Sequence, residues 1–205
     1  MATKLNIINL AFAHLGEPLV RDLAGDPPLP SVVKALAQWD QALETALAMA
    51  PWLCATISPR LDADLSSAAE AAQDWRYRWR FTCPAGTIKI WSVAGDFAWQ
   101  AGVVVGADGD VRRVIRADHP GPLMADLIVR RPVEALTPLL ADALAWELAS
   151  RLAGPIQSNE DKAQWAAKQA EKAYVLASST EATEIGGQEP VIPMGPLAAA
   201  RLSAP

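Results

Sequence analysis

Histidine and cysteine are scarce in this chain, two of each among 205 residues. His14 lies near the end of an apolar run and His119 stands directly before a proline. Neither has a Ser, Cys or Glu at a catalytic spacing, and no HExxH, GxSxG or clustered metal-ligand pattern occurs, which removes the familiar routes to hydrolytic and metal chemistry. The simpler reading of each histidine is structural. Cys54 and Cys83 share no CxxC spacing, so the expectation is two buried free thiols in a reducing cytoplasm, with a disulfide as the other reading. Phosphate-binding glycine loops are missing as well; Gly102, Gly106 and Gly109 fit strand ends and turns. No run of about 18 apolar residues is present. The opening MATKLNIINLAFAHLG carries Asn6, Asn9 and His14 and has no small-residue cleavage site, so neither a signal peptide nor a membrane span is expected.

What the chain does have is apolar and aromatic surface. Hydrophobic residues make up 51% and charged residues 20%, the balance of a soluble globular class with room for one domain and a sizeable core. Eight tryptophans are many for this length. Tryptophan is enriched in cores and at protein interfaces, so the excess favours a chain with much surface to bury. The net charge of −5 conceals an asymmetry. Between Arg76 and Arg131 there are nine basic and five acidic residues, a balance of +4, whereas the remainder holds nine basic and eighteen acidic, a balance of −9. A basic block in an acidic protein is suited to nucleic acid or to an acidic partner.

Period and punctuation divide the chain into helix, helix, β block, helix, helix and arm. Residues 3–15 form a helix with Leu5, Ile8, Phe12 and Leu15 on one face and Gly16 at the position of a left-handed cap. After the stiff linker GDPPLP, Ser31 is placed to cap a second helix running to about Ala50, striped by Val32, Leu36, Trp39, Leu43 and Leu47. Pro51 ends it, since proline has no amide hydrogen and its ring clashes with the preceding turn. Trp52 follows at once and is expected to fold back as an aromatic anchor, buried against this helix and the one at 137–153. Residues 62–74 read as a loop or a frayed helix.

The period then changes to two. In WRYRWRF, 75–81, the aromatics Trp75, Tyr77, Trp79 and Phe81 alternate with Arg76, Arg78 and Arg80, a strand with one apolar and one basic face. TIKIWSV, FAWQAGVVV and DVRRVIRA continue the pattern, with GADGD (106–110) as a hairpin turn. DLIVRRPV (126–133) is the last strand, and Pro132 places its end at a sheet edge. This antiparallel block of four or five strands spans about 75–133. Leu140, Leu144, Leu148 and Leu152 stripe a third helix, 137–153, ended by Gly154-Pro155. Ser158, with Asp161 completing an approximate capping box, starts a fourth at 158–178. The remainder, 181–205, is punctuated by proline and glycine and reads as an extended arm. The fold class is therefore mainly α with an inserted antiparallel β block (α+β): a helical bundle plus a small β-sheet, one domain over 1–180, and an extended C-terminal arm.

Little in this pattern asks for catalysis. Carboxylate pairs such as Asp40 with Glu44, or Asp62 with Asp64, have the residue types for acid–base hydrolysis, but a solvated helix face and a polar loop account for them more simply. The Arg–aromatic strand has the composition for stacking bases and holding phosphates. Strict alternation, however, sends the two residue types to opposite faces, where a single ligand does not meet both. The arginines are left for solvent, a neighbouring subunit or a DNA passage. No catalytic, cofactor-binding or metal-binding residue is assigned.

In order along the chain, NLAFAHLGEPLV, WDQALETALAMAPWLCATISPRL, WRYRWRFTCPAGTIKIWSV and LTPLLADALAWELASRLA resemble the tail tubular protein A-like head–tail connector (adaptor) family of tailed phages. The likeness covers about residues 3–155 and is carried by Leu15-Gly16-Glu17, Pro51-Trp52, Ala55, Arg60 and Tyr77 through Pro84, the Pro-Trp corner being its most specific piece. Cys54 stands where the family usually has an aromatic residue, and Ala85-Gly86 where it usually has an Asp. The resemblance implies a structural head-to-tail adaptor that is not an enzyme and uses no cofactor. It would be a homo-oligomeric ring, commonly dodecameric, at the head–tail junction of a virion, synthesised in the cytoplasm of a bacterial host. It would join the portal protein to a tail or nozzle protein and let duplex DNA pass without specific binding, with no membrane contact. On this reading Pro51 and Trp52 make a rigid corner. Arg76, Arg78, Arg80, Arg112 and Arg113 of the β block contact a neighbouring subunit or the tail, and Pro190, Val191, Ile192, Pro193, Met194 and Leu197 of the arm contact the portal. Two other readings stand beside it: a virion-associated cell-wall hydrolase using Glu44, Glu134 or Glu147, and a nucleic-acid-binding module using Arg76, Arg78 and Arg80.

Overall fold

Thr3 opens the first helix and Gly16 closes it. In the computed structural model, which describes residues 2–25, 27–64, 76–105 and 109–184, α1 runs over Lys4–Leu15 and the Thr3 hydroxyl accepts the Asn6 amide hydrogen. Gly16 takes a left-handed φ of 73°, its amide bonds to Ala13 and that of Glu17 to Phe12, a Schellman end. The start of α2 (Pro30–Ala48) differs from the expected Ser31 cap. Leu29 is the cap residue, without a side-chain bond, and Pro30 takes the first helical position, where a missing N–H leaves no bond unmade. α3 (Pro138–Gln157) is capped by Thr137 and runs through Gly154-Pro155 instead of stopping there. Gly154 has no β-carbon to meet the proline ring, which eases the usual bar to a helical residue before proline. Ser158, left-handed at φ 50°, turns the chain, and Asn159 rather than Ser158 caps α4 by accepting the Lys162 amide hydrogen. α4 (Glu160–Glu184) continues past 178 and takes in the first four residues assigned to the arm. The rest of the arm lies outside the described residues.

The helices close on one core, to which Ile8, Phe12 and Leu15 of α1 and Ala42, Ala46 and Leu47 of α2 all contribute. Leu140, Leu144, Leu148 and Leu152 of α3, and Ala166 and Ala170 of α4, complete it. The mixed α+β class is as expected, but the inserted β block is two small antiparallel sheets. In the first, β7 (Leu123–Val129) pairs on one side with β4 (Thr87–Val93) and on the other with β1 (Thr56–Ile57) and β2 (Arg60–Leu61). β1 and β2 keep one register against β7 and are parted by Ser58-Pro59, where proline has no amide hydrogen to give. The Asp126 carboxylate of β7 clasps both flanks, accepting the Ser58 and Ser92 hydroxyls at 2.6 Å each.

In the second sheet β6 (Val111–Ala117) lies between β3 (Trp79–Thr82) and β5 (Trp99–Val105). The strand expected over 75–81 thus begins at Trp79; Trp75 lies outside the described residues, as do 106–108 of the GADGD turn. The strand expected over 126–133 is shifted to 123–129. Adjacent residues of β7 serve different cores. Ile128 is buried among the helices, whereas Leu127 is buried between the sheets with Leu123, Ala125, Phe81 and Ile115. The uninterrupted LIV run belongs to a strand covered on both faces. The layers are helices, first sheet, second sheet.

His14, near the C-terminal end of α1, stacks on Trp146 of α3 with centroids 3.4 Å apart, and Trp165 of α4 meets the same indole edge-on at 5.1 Å. Its Nε2 is buried without a hydrogen-bond partner among the described residues and stands 4.0 Å from an Asp142 carboxylate oxygen. Burial disfavours the imidazolium more than Asp142 favours it, so the His14 pKa lies below its ordinary 6.5. The folded state therefore binds fewer protons here than the unfolded chain. The contribution of His14 to stability is complete above the unfolded pKa and is lost as pH falls below it. His14→Phe keeps a ring against Trp146 and removes the titration. The expected outcome is a smaller drop in melting temperature from about pH 7.5 to about pH 5.5 than in the wild type. Equal drops in the two proteins would show that His14 is not the group responsible.

Candidate interaction surfaces and the Pro51 corner

Where α2 ends, Pro51 brings no amide hydrogen to the carbonyl four residues before it, and the last turn must find donors elsewhere. The Met49 amide reaches the Ala46 carbonyl at 3.4 Å, and the Trp52 indole N–H donates to the same oxygen at 2.8 Å. Lys89 Nζ of β4 donates to the Ala48 carbonyl at 3.1 Å, a cation at a helix C-terminus. Trp52 is 1% exposed and bonded to α2, as expected, and the ring beside it is Tyr174 of α4, a helix outside the expected pair, with centroids 6.3 Å apart. Pro51 itself is exposed.

Beyond Trp52 the chain is held from two more directions, and α2 itself is tied to the end of β7. Arg131 Nε donates to the Cys54 carbonyl at 3.1 Å, and Arg130 at the end of β7 pairs with Asp40 and, at 3.1 Å, with Glu44 on α2. Glu181 of α4, 6% exposed, accepts the Leu53 amide hydrogen at 2.7 Å and the Thr137 hydroxyl hydrogen at 3.1 Å. Thr137 in turn caps α3 by accepting the Leu140 amide hydrogen. One buried carboxylate thus ties the end of α4 to the corner and to the start of α3. The assignment of residue 181 to a free arm is corrected by these bonds. Cys54 and Cys83 are both free thiols. Burial pushes the Cys54 thiol up, reinforced by the Glu181 carboxylate, and pushes Cys83 up to about 11, so neither is a poised nucleophile.

The five arginines singled out from the sequence do not form one patch. Arg80 faces away from the interior side on which Phe81 is buried, yet it is not a solvent arginine: it pairs with Asp64 at 2.7 Å with only 14% of its side chain exposed. Its direct cross-strand neighbour is Arg116, and Asp64 offsets the repulsion such a pair carries. Arg76 and Arg78 are exposed before the start of β3, Arg78 lying 3.9 Å from Asp118. Arg112 and Arg113 are exposed at the other end of β6, Arg112 lying 3.5 Å from Asp110. At a rise of about 3.4 Å per residue the two pairs stand roughly 20 Å apart along the sheet. Lys89, Arg130 and Arg131 are committed to the corner.

The carboxylates of the hydrolase reading stand on three elements. Glu44 is paired with Arg130 and Glu147 with Arg151 at 2.8 Å, while Glu134 is exposed in the 3-10 turn Val133–Ala135. Among the described residues no group of three or more His, Cys, Asp or Glu converges as a metal site, and no helix is long and apolar enough to cross a membrane. The arm residues Pro190, Val191, Ile192, Pro193, Met194 and Leu197 lie outside the described residues. No protein-family model matches the chain, and no curated protein matches it. Two features went unnoticed in the sequence: the Glu181 latch, and exposed valines on β5 and β6. A glutamate late in an alanine-rich helix carries no signal of burial, and VVV followed by DVRRV reads as an ordinary buried hairpin.

Trp52→Ala is expected to destabilise the protein by about 3–5 kcal/mol, since it opens a cavity at the junction of α2 and α4. Trp52→Phe keeps most of the volume and removes the indole donor, with a smaller expected cost of about 1–3 kcal/mol. Urea unfolding measures both, and an unchanged midpoint for Trp52→Ala would show the corner to be held without its anchor. Glu181→Ala strips an acceptor from a buried amide and a hydroxyl and is expected to cost about 1.5–3 kcal/mol. A Glu181→Ala protein as stable as the wild type would place the latch outside the cooperative fold.

Proposed function

We propose that this chain is a structural adaptor of the head–tail junction of a tailed phage or phage-like particle, a ring-forming subunit between portal and tail that leaves a passage for duplex DNA. The observation that carries this reading is the corner. Pro51-Trp52, the most specific part of the resemblance, is the point on which bonds from α4, β4 and the end of β7 converge. An adaptor must present the same angle in every copy, because heterologous contacts close into a ring only when each repeats the same rotation. A helix end clamped from several sides supplies that constancy. The acidic balance outside the β block suits a passage that must not grip phosphates. In this role the protein catalyses nothing and needs no cofactor.

The C-terminal arm is the proposed portal contact, with Val191, Ile192, Met194 and Leu197 as apolar anchors and the prolines limiting the entropy lost on ordering. Light scattering of the full-length chain, alone and mixed with a portal ring, tests the whole reading. A ring-sized complex with portal is expected, and a protein that neither associates nor binds portal would overturn it. Removal of residues 185–205, which spares Glu181, is expected to leave the melting temperature nearly unchanged and to weaken portal binding sharply. Portal binding undiminished by that truncation would show that the arm is not the anchor.

A further inference from the structure

Two apolar surfaces of this chain have no cover among the described residues. The first is the far end of the β5–β6 pair. β3 pairs with β6 only as far as Val114, with one further bond from the Cys83 amide to the Arg113 carbonyl, and β5 and β6 run on as a two-stranded ribbon. Residues directly opposite one another share a face, so Val103 with Arg113 and Val105 with Val111 continue the side on which Phe81 and Ile115 are buried. The core ends there, and Val103, Val105 and Val111 stand 53%, 67% and 70% exposed. A two-stranded ribbon is marginal by itself, and nothing in the fold is gained by an apolar face on water.

The second surface is a groove of about 390 Å³ where α2 ends against α4. Met49, Ala50, Tyr174 and Val175 wall it, and Glu171 and Ser178 supply its polar groups. Met49 is 50% and Val175 68% exposed. Ribbon and groove match in kind: three valines beside one arginine, and apolar walls beside one glutamate. Arg113 is exposed on the ribbon and Glu171 at the groove, so the local charges are opposite. Each copy carries one ribbon and one groove, and both are open among the described residues.

We propose that the β5–β6 ribbon of one copy seats, valines inward, in the α2–α4 groove of a second copy, with Arg113 beside Glu171. The contact uses different patches on the two copies, so each bound copy retains one free ribbon or groove and the contact repeats until rotation closes it. It rests on the ring-forming part of the reading above, while the portal plays no part in it.

The test follows the association of the full-length chain by sedimentation over a range of concentrations. The variants are Val105→Asp, Arg113→Glu, Glu171→Arg and the double Arg113→Glu/Glu171→Arg. The wild type is expected to self-associate, each single variant to weaken association about tenfold or more, and the double reversal to recover most of the loss. All three positions are exposed, so melting temperatures near the wild-type value separate a lost contact from a lost fold. A wild type that stays monomeric overturns the proposal, and so does association that the single variants leave intact. In the second case a ring that still binds portal keeps the adaptor reading alive without this contact. Association that responds as expected in a protein indifferent to portal does the reverse: the contact stands and the adaptor reading falls.

Discussion

A helix that runs into proline leaves carbonyl groups without donors, and at the end of α2 that shortage organises the molecule. A buried polar group left unpaired costs about 1–3 kcal/mol, against a total stability of about 5–15 kcal/mol for a domain, so several at one place are not tolerable. The hydrogen-bond partners come from the corner itself and from parts of the chain far away in sequence. Trp52 folds back to Ala46, and Lys89 reaches Ala48 from β4. Arg131 reaches Cys54 from the end of β7, and Glu181 answers the Leu53 amide from α4. Each of these bonds also fixes the element that supplies it. The corner is therefore the joint between bundle and sheets, and the proline that deprives the helix of a donor is what makes the joint necessary.

The same economy alters the meaning of the charge pattern. A balance of +4 over the β block suggests a basic surface, yet much of that charge is already paired within the fold. Lys89, Arg130 and Arg131 are spent on the corner and Arg80 on Asp64, and the exposed Arg76, Arg78, Arg112 and Arg113 divide between two ends of the second sheet. Surface ion pairs contribute about 0–1 kcal/mol each, so two separated pairs of arginines make a weak adhesive. Apolar surface is the stronger candidate for holding copies together, which shifts the weight of the interface argument from the arginines to the valines and the groove.

How much of this was legible in the sequence follows from the range of the forces involved. Local signals were clear: Gly16 at a left-handed cap, the stripes of α1 to α3, the period-two runs, and the Trp52 anchor after Pro51. Where two local signals competed, the reading failed by a few residues. Ser31 lost the cap to Leu29-Pro30 because proline at the first helical position needs no side-chain cap, and Gly154-Pro155 failed to stop α3 because glycine relieves the clash that proline causes. Nonlocal facts left no mark. The LIV run of β7 does not say that its two faces belong to different cores, and the short β1 and β2 exist only because β7 offers them an edge. Arg80 looked like a solvent residue because its partner Asp64 is sixteen positions away. Glu181 looked like the start of an arm because its partners lie 128 and 44 positions away.

That last displacement bears on how an assembly would work. Tyr174, Val175 and Ser178 line the groove, Glu181 latches the corner, and Glu184 ends the described part of α4. At about 1.5 Å per residue, groove, latch and the root of the C-terminal segment fall within roughly 15 Å along one helix. Under the proposed pairing, a ribbon entering the groove presses on the Tyr174 ring, which stands against Trp52, the anchor of the corner. Subunit contact, corner and arm root would then be mechanically one unit. A packed core has few ways to yield, so a neighbour seated in the groove would narrow the directions in which α4 can deliver the arm. Ring closure would come first, and portal engagement by all the arms together would follow as a multivalent event in which each weak attachment raises the effective concentration of the next.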